Sequence, residues 1–263
     1  MKKQSVLKLT ESAVMIALAT ILSLLAIFKM PYGGSVTACS MLPIIIIAYR
    51  HNVVWGLLTG LAHAMLQCIM GLDNLAYATS FAAGVAIVML DYILAFTCLG
   101  LGGIFKGKIK SDGTALALGA LVCCIIRYVC HVISGCTVWA GVSIPDAQGL
   151  IFSLGYNLAY MLPEAVVTVA AAYFAGKCFD FTQNPIRRRA RSDNSGMSVI
   201  GAMILCIAVV VDSIMLFMAM QSEDGYDITL IKDNANWVQM LVILGVGILG
   251  MIVANIIKKY KTK

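Results

Sequence analysis

Residues 127–139 read RYVCHVISGCTVW, inside an apolar segment long enough to cross a bilayer. Arg127, His131, Gly135 and Trp139 recur every four residues. On a helix of roughly 3.6 residues per turn, each such step rotates only about 40°. The four side chains therefore share one slowly turning face. An ionisable group at bilayer depth costs roughly 2.5–3.5 kcal/mol on insertion scales, and it faces a cavity or a partner. An Arg, a His and a Trp on one face imply a polar pocket within a membrane-embedded helix bundle.

The rest of the chain supports that reading. Of its 263 residues, 60% are hydrophobic and 12% are charged, whereas a soluble domain carries about 25% charged residues. The chain therefore reads as an all-α integral membrane protein. Apolar runs near 10–28, 36–50, 53–70, 78–104, 115–139, 150–176, 197–220 and 235–257 predict eight helical spans. The second is short and is interrupted by Pro43. Eight spans with both termini cytoplasmic place Lys2, Lys3, Lys8, Arg50, Lys106, Lys108, Lys110, Lys177, Arg187, Arg188, Arg189, Arg191, Lys258, Lys259, Lys261 and Lys263 inside. Only Lys29 and Lys232 remain outside, the asymmetry expected of a bacterial plasma-membrane protein under the positive-inside rule. The net charge of +6 then belongs at the lipid headgroups and calls for no nucleic-acid partner. A basic start followed by an apolar run, with no matched small-residue cleavage site, argues against a cleaved signal peptide.

One boundary divides the chain. Residues 177–196 (KCFDFTQNPIRRRARSDNSG) form a basic linker, read as cytoplasmic, between a six-span domain at 1–176 and a two-span hairpin at 197–263. The unusual intramembrane residues lie in the first part; the hairpin contains one, Asp212, whose role is open.

Several chemistries lack their signatures. None of the nine cysteines has metal-ligand spacing joined to a His motif, and a membrane Cys acts mainly as a small apolar residue. There is no GxxxxGK[ST] loop, no G-x-S-x-G and no H-E-x-x-H. No metal, cofactor or catalytic residue is expected, and the chain is read as a non-enzyme.

The intramembrane polar residues leave alternatives open. Asp91 either pairs with Arg127 or contacts a ligand. His131 can serve as a helix–helix hydrogen bond, although Trp139 two turns further out favours pocket lining. Trp139 is either an interfacial belt residue, as Trp55 and Trp237 are read, or a face for an organic cation. Asn157 is helix glue or a ligand contact. The role of Glu164, after Pro163, is open. Ala13 and Ala17 lie one turn apart and permit close approach of another membrane helix.

Four motifs carry a resemblance: PYGGSVTACSMLPIIIIAYRH (31–51), LDYILAFTCLGLGGIF (90–105), RYVCHVISGCTVW (127–139) and IFSLGYNLAYMLPE (151–164). In this order the chain resembles, over roughly residues 8–176, the thiamine-specific substrate-binding (S) components of energy-coupling factor (ECF) vitamin transporters. The resemblance implies a six-helix S-component bundle with a vitamin pocket near the outer face. Implied partners are thiamine or a close analogue, a transmembrane coupling subunit and two cytoplasmic ATPases. Ala13 and Ala17 match the surface where such proteins meet the coupling subunit. Carried over by position, the substrate pocket includes Asp91, Tyr92, Arg127, His131, Gly135, Trp139, Phe152, Asn157 and Gly34. Asp91 would hold the aminopyrimidine and Trp139 would stack on a ring. Arg127 stands where a known member has Lys, Phe152 where it has Tyr, and Gly34 where it has Trp. Thiamine chemistry suits these groups: a carboxylate accepts from the amino group, and aromatic faces suit both rings and the thiazolium cation. The hairpin falls outside the resemblance. The alternative function is a self-sufficient ion-coupled secondary transporter of a small cationic solute, with Asp91 and Glu164 in proton coupling.

Overall fold

The computed structural model describes residues 2–30, 34–78, 80–136, 147–189, 195–222 and 225–261. Among them, seven helices are long and apolar enough to cross a membrane. The fold is all-helical apart from short hairpins of strand. Contacts divide the chain into two compact units, residues 1–187 and 188–263.

In the first unit, α1 (Lys2–Leu24) leads into β1 (Ala26–Lys29), which pairs antiparallel with β2 (Ser35–Thr37). The chain then turns at Cys39, whose φ is 65°, and enters α2 (Leu42–Arg50). The segment read as a second helical span is thus part strand and part helix. Nine helical residues rise only about 13 Å, under half of the hydrocarbon thickness. Pro43 explains the start, since in the first turn its missing N–H loses no intrahelical bond. The predicted first span shifts for a related reason: residues 26–29 leave the helix to pair with β2.

Next come α3 (Val53–Met70), a 3₁₀ turn at Leu72–Tyr77, and the helical run α4 (Phe81–Gly103). Asn52 caps α3 by accepting from the Trp55 N–H at 2.8 Å, and Ser80 caps α4 by accepting from the Ala83 N–H at 3.1 Å. Within α4, Val88–Leu94 is π-helical and Cys98–Gly103 is 3₁₀. The unit closes with α5 (Asp112–Ser134) and the long α6 (Ala147–Cys178), which contains Pro163.

These helices approach closely because glycines line their crossings. A Cβ on Gly100 would lie 2.2 Å from the Leu57 nitrogen, and one on Gly119 would lie 2.1 Å from the Gly102 carbonyl oxygen. The core beside them joins Met41, Ile44, Ile45, Leu99, Leu116 and Cys123. Outward-facing Val14, Leu18, Phe81, Leu158 and Leu162 are exposed, as suits helices whose solvent is lipid.

A polar clamp gathers the end of the unit where α1 begins. Arg50 donates to both Glu11 oxygens at 2.6 and 2.7 Å and to the Phe181 and Gln183 carbonyls, each at 2.8 Å. The Tyr49 hydroxyl donates to Asp112 at 2.6 Å, and Lys106 donates to the Arg50 carbonyl at 2.7 Å. The start of α1, the end of α2, the start of α5 and the chain after α6 therefore share one end; the β1–β2 hairpin lies at the other.

The second unit is an antiparallel pair, α7 (Ser195–Ala219) and α8 (Trp237–Lys261). Gly201 meets Ala254 and Met251, while Gly247 meets Ala208, the small-residue contacts by which membrane helices associate. Asp212 on α7 is buried, and its Oδ1 has no hydrogen-bond partner among the described residues.

Gly100→Ala is expected to destabilise the protein by about 1–3 kcal/mol through overpacking. Gly245→Ala meets nothing within 4 Å and is expected to be neutral or slightly stabilising. Denaturation of the purified protein in detergent measures both.

Candidate functional site

Four elements converge on one polar cluster. The π-helical turn of α4 carries Asp91, and such widened turns with i→i+5 bonding are frequent at functional sites. The face of α5 brings two donors to it. His131 Nδ1 lies 2.8 Å from Asp91 Oδ1, and the Ser134 hydroxyl donates to Oδ2 at 2.6 Å. The two donors are three residues apart, the spacing that puts them on one helical face. An ionised carboxylate only accepts, so Nδ1 is assigned as the donor to Asp91. Nε2 is buried and has no hydrogen-bond partner among the described residues. A buried polar atom left unpaired costs about 1–3 kcal/mol, so a polar ligand group that reached this nitrogen would offset that cost.

The α6 face forms the opposite wall. Asn157 Nδ2 donates to the Ser153 carbonyl at 2.8 Å and lies 3.3 Å from the His131 carbonyl oxygen. The Tyr160 hydroxyl donates to Asn157 Oδ1 at 2.7 Å. Gly135 makes the α5–α6 crossing possible: a Cβ there would lie 2.3 Å from Ser153 Oγ. The Tyr160 ring stands edge-on to His131 at 6.1 Å, and Phe152 stacks on Tyr156 at 5.7 Å. Gly34 completes the wall from the β1–β2 hairpin. A Cβ on it would lie 2.7 Å from the Tyr160 ring, so hairpin backbone rests directly on that ring.

Asp91, His131, Gly135, Asn157 and Gly34 thus meet in one place, with Phe152 reaching it through Tyr156 and Tyr160. Arg127 lies one turn along α5 from His131. Its guanidinium carbon is 4.4 Å from the centre of the Phe96 ring, and its Nε is buried without a hydrogen-bond partner among the described residues. Tyr92 is turned elsewhere: its hydroxyl donates to the Gly71 carbonyl at 2.9 Å and accepts from Asn74 at 2.7 Å. It anchors the turn after α3. Trp139 lies outside the described residues. Ala13 and Ala17 are exposed on α1 beside Val14 and Leu18. Glu164, left open by the sequence, accepts from the Thr37 hydroxyl at 2.7 Å and from the Thr37 N–H.

Sequence reasoning missed Ser134, Tyr160 and Thr37. Ser134 follows His131 by three residues and Tyr160 follows Asn157 by three, so helical spacing could have found both. Thr37 and Glu164 are 127 residues apart, and no local pattern links them. Among the described residues, no group of three or more His, Cys, Asp or Glu side chains could hold a metal ion. Chemically, the cluster offers a fixed carboxylate, an imidazole acceptor and aromatic edges, a set suited to a flat, amine-bearing ligand.

Comparison with known proteins gives consistent results. The family model described as thiamine transporter protein (Thia_YuaJ) matches residues 9–179. The thiamine transporter ThiT of Bacillus subtilis (strain 168) is 32% identical over 177 residues, covering 63% of this chain and 88% of that protein. A solved structure of ThiT from Listeria monocytogenes superimposes with a TM-score of 0.53 at 21% identity, covering 66% of this chain and 95% of that one. The structural likeness speaks to the fold alone.

Tyr160→Phe removes the donor to Asn157 Oδ1 and leaves a buried acceptor. A loss of about 1–3 kcal/mol of stability is expected, measured by denaturation in detergent against the parent.

Proposed function

The chain belongs to the thiamine transporter protein family, and we propose that it is the S component that captures thiamine and passes it inward with an ATP-driven module. The observation that carries this reading is His131 Nε2, buried and unbonded beside a carboxylate that is already fixed. The aminopyrimidine amine would donate to the Asp91 carboxylate, an acceptor-only group when ionised. In the neutral imidazole, His131 Nε2 would accept a hydrogen bond from the ligand. Asn157 and the aromatic edges of Tyr156 and Tyr160 would enclose the rings. Trp139, four residues after Gly135 in the sequence, would stack on the thiazolium cation, an attraction of about 2 kcal/mol or more when desolvated. Phe152, stacked on Tyr156, would add apolar wall.

The chain is a multi-pass membrane protein. In the proposed orientation the Arg50 clamp and the basic linker 177–196 face the cytoplasm, with the β1–β2 hairpin outward, in accord with the positive-inside distribution of Lys and Arg. Residues 1–176 form the binding domain, and residues 197–263 form an added hairpin. The coupling subunit docks on the exposed α1 face around Ala13 and Ala17, and two ATPase subunits drive that partner. The ligand leaves chemically unchanged.

Isothermal titration of the purified chain with thiamine tests this reading. Asp91→Asn replaces the acceptor-only carboxylate and sets an amide N–H₂ toward His131 or Ser134. Affinity is expected to fall by tenfold or more, about 1.4 kcal/mol or greater; an unchanged affinity in a monodisperse sample would overturn the assignment. Replacing both Ala13 and Ala17 with Trp is expected to abolish uptake in a reconstituted complex while leaving thiamine binding intact. Uptake that persists would remove α1 from the coupling surface.

A further inference from the structure

The site described above does not use Glu164, although this carboxylate is only 2% exposed and lies within a membrane span. Both of its oxygens are engaged by one residue. The Thr37 hydroxyl donates to Oε1 at 2.7 Å and the Thr37 backbone N–H donates to Oε2. Thr37 is itself 3% exposed. Its hydroxyl oxygen also lies 2.8 Å from Ser40 Oγ and accepts from the Ser40 N–H at 3.3 Å. The end of β2 is therefore tied to α6 by two hydrogen bonds to one buried carboxyl group.

The tie has geometric consequences for the site. One turn along α6 from Glu164, the Tyr160 ring supports the Gly34 backbone. Tyr160 in turn holds Asn157 and stands against His131. The register Lys29↔Ser35 and Phe28↔Val36 carries the restraint into β1, and the Met30 N–H donates to the Gly34 carbonyl at 2.7 Å. Residues 34–37 thus touch α6 at two points, a ring contact at the site and a carboxylate bond one turn beyond it.

We propose that Glu164 is a positioning residue: through Thr37 it pins the β1–β2 hairpin onto the Tyr160 wall and thereby sets how long the bound ligand stays. The effect on ligand lifetime rests on the function proposed above; the pinning of the hairpin does not. A two-oxygen acceptor is required because Thr37 offers two donors. Glutamine would turn its amide N–H₂ toward one of them and lose that bond.

The test uses the full chain in detergent or nanodiscs, with two readouts. Hydrogen exchange of the ligand-free protein follows the amides of residues 26–37 against those of α5. Chase of bound radiolabelled thiamine gives the dissociation rate. Glu164→Gln is expected to accelerate hairpin exchange while α5 stays protected, and to raise the dissociation rate by about tenfold or more. Thr37→Val keeps the backbone donor and removes the hydroxyl, so a smaller rise of about threefold is expected; Thr37→Ser should restore parental values. Unchanged hairpin exchange and dissociation in a folded Glu164→Gln protein would overturn the proposal. Exchange accelerated equally in the hairpin and α5 would also overturn it, since Glu164 would then serve only global stability. If Glu164→Gln does not fold, the Thr37→Val and Thr37→Ser pair decides by the same criteria. A parent that fails to bind thiamine would sink the substrate assignment, while the exchange arm would still decide the pinning.

Discussion

A carboxylate inside a lipid-surrounded bundle must find its hydrogen-bond donors on its own chain, and the arrangement around Asp91 follows from that constraint. His131 and Ser134 supply those donors and tie α5 to the π-helical turn of α4. The α5 position then dictates where α6 can cross. Gly135 allows the backbones close enough for Asn157 to reach the carbonyl of His131. Tyr160, fixed by Asn157, becomes the platform for Gly34. The hydrogen bonds satisfy buried polar groups, and Gly34 and Gly135 allow the close approaches between them.

The first unit separates two tasks along its length. One end is closed by the Arg50 clamp, where a side chain almost entirely withdrawn from solvent serves a carboxylate and two carbonyls at once. His51 adds to the same carboxylate at 2.8 Å, and burial pushes its pKa below the ordinary imidazole value, against the pull of Glu11. Removing one partner from such a buried pair strands the other charge, so this end is built for rigidity. The other end holds the hairpin, and near it His131 Nε2 is buried without a hydrogen-bond partner among the described residues.

The second unit is a helical pair held by small residues along one seam. Its buried polar side chains among the described residues are Asp212 and Ser213, and the Ser213 hydroxyl donates to the Val209 carbonyl at 2.9 Å. Ser198 and Asn255 satisfy each other at 3.0 Å, whereas Asp212 Oδ1 has no partner among the described residues. The pair is packed as a self-contained element, in keeping with a family match that ends at residue 179.

The amino-acid sequence by itself determined that the chain lives in a membrane, where most of its helices run, and which side chains stand out within them. Asp91, His131 and Asn157 were legible because an ionisable or amide group in an apolar run is costly and therefore conspicuous. Helical spacing also placed Arg127, His131 and Gly135 on one face. Tertiary structure alone decided their partners. It gave Asp91 to His131 and Ser134, seated Arg127 over Phe96, turned Tyr92 toward Gly71, and joined Glu164 to Thr37. It also made residues 35–50 part strand and part helix, where hydropathy alone suggested a span. The physical reason is the range of the signals. Hydrophobicity and period are local properties of consecutive residues, whereas a hydrogen bond is made between whichever donor and acceptor the packed helices bring within about 3 Å, however far apart they lie in the chain.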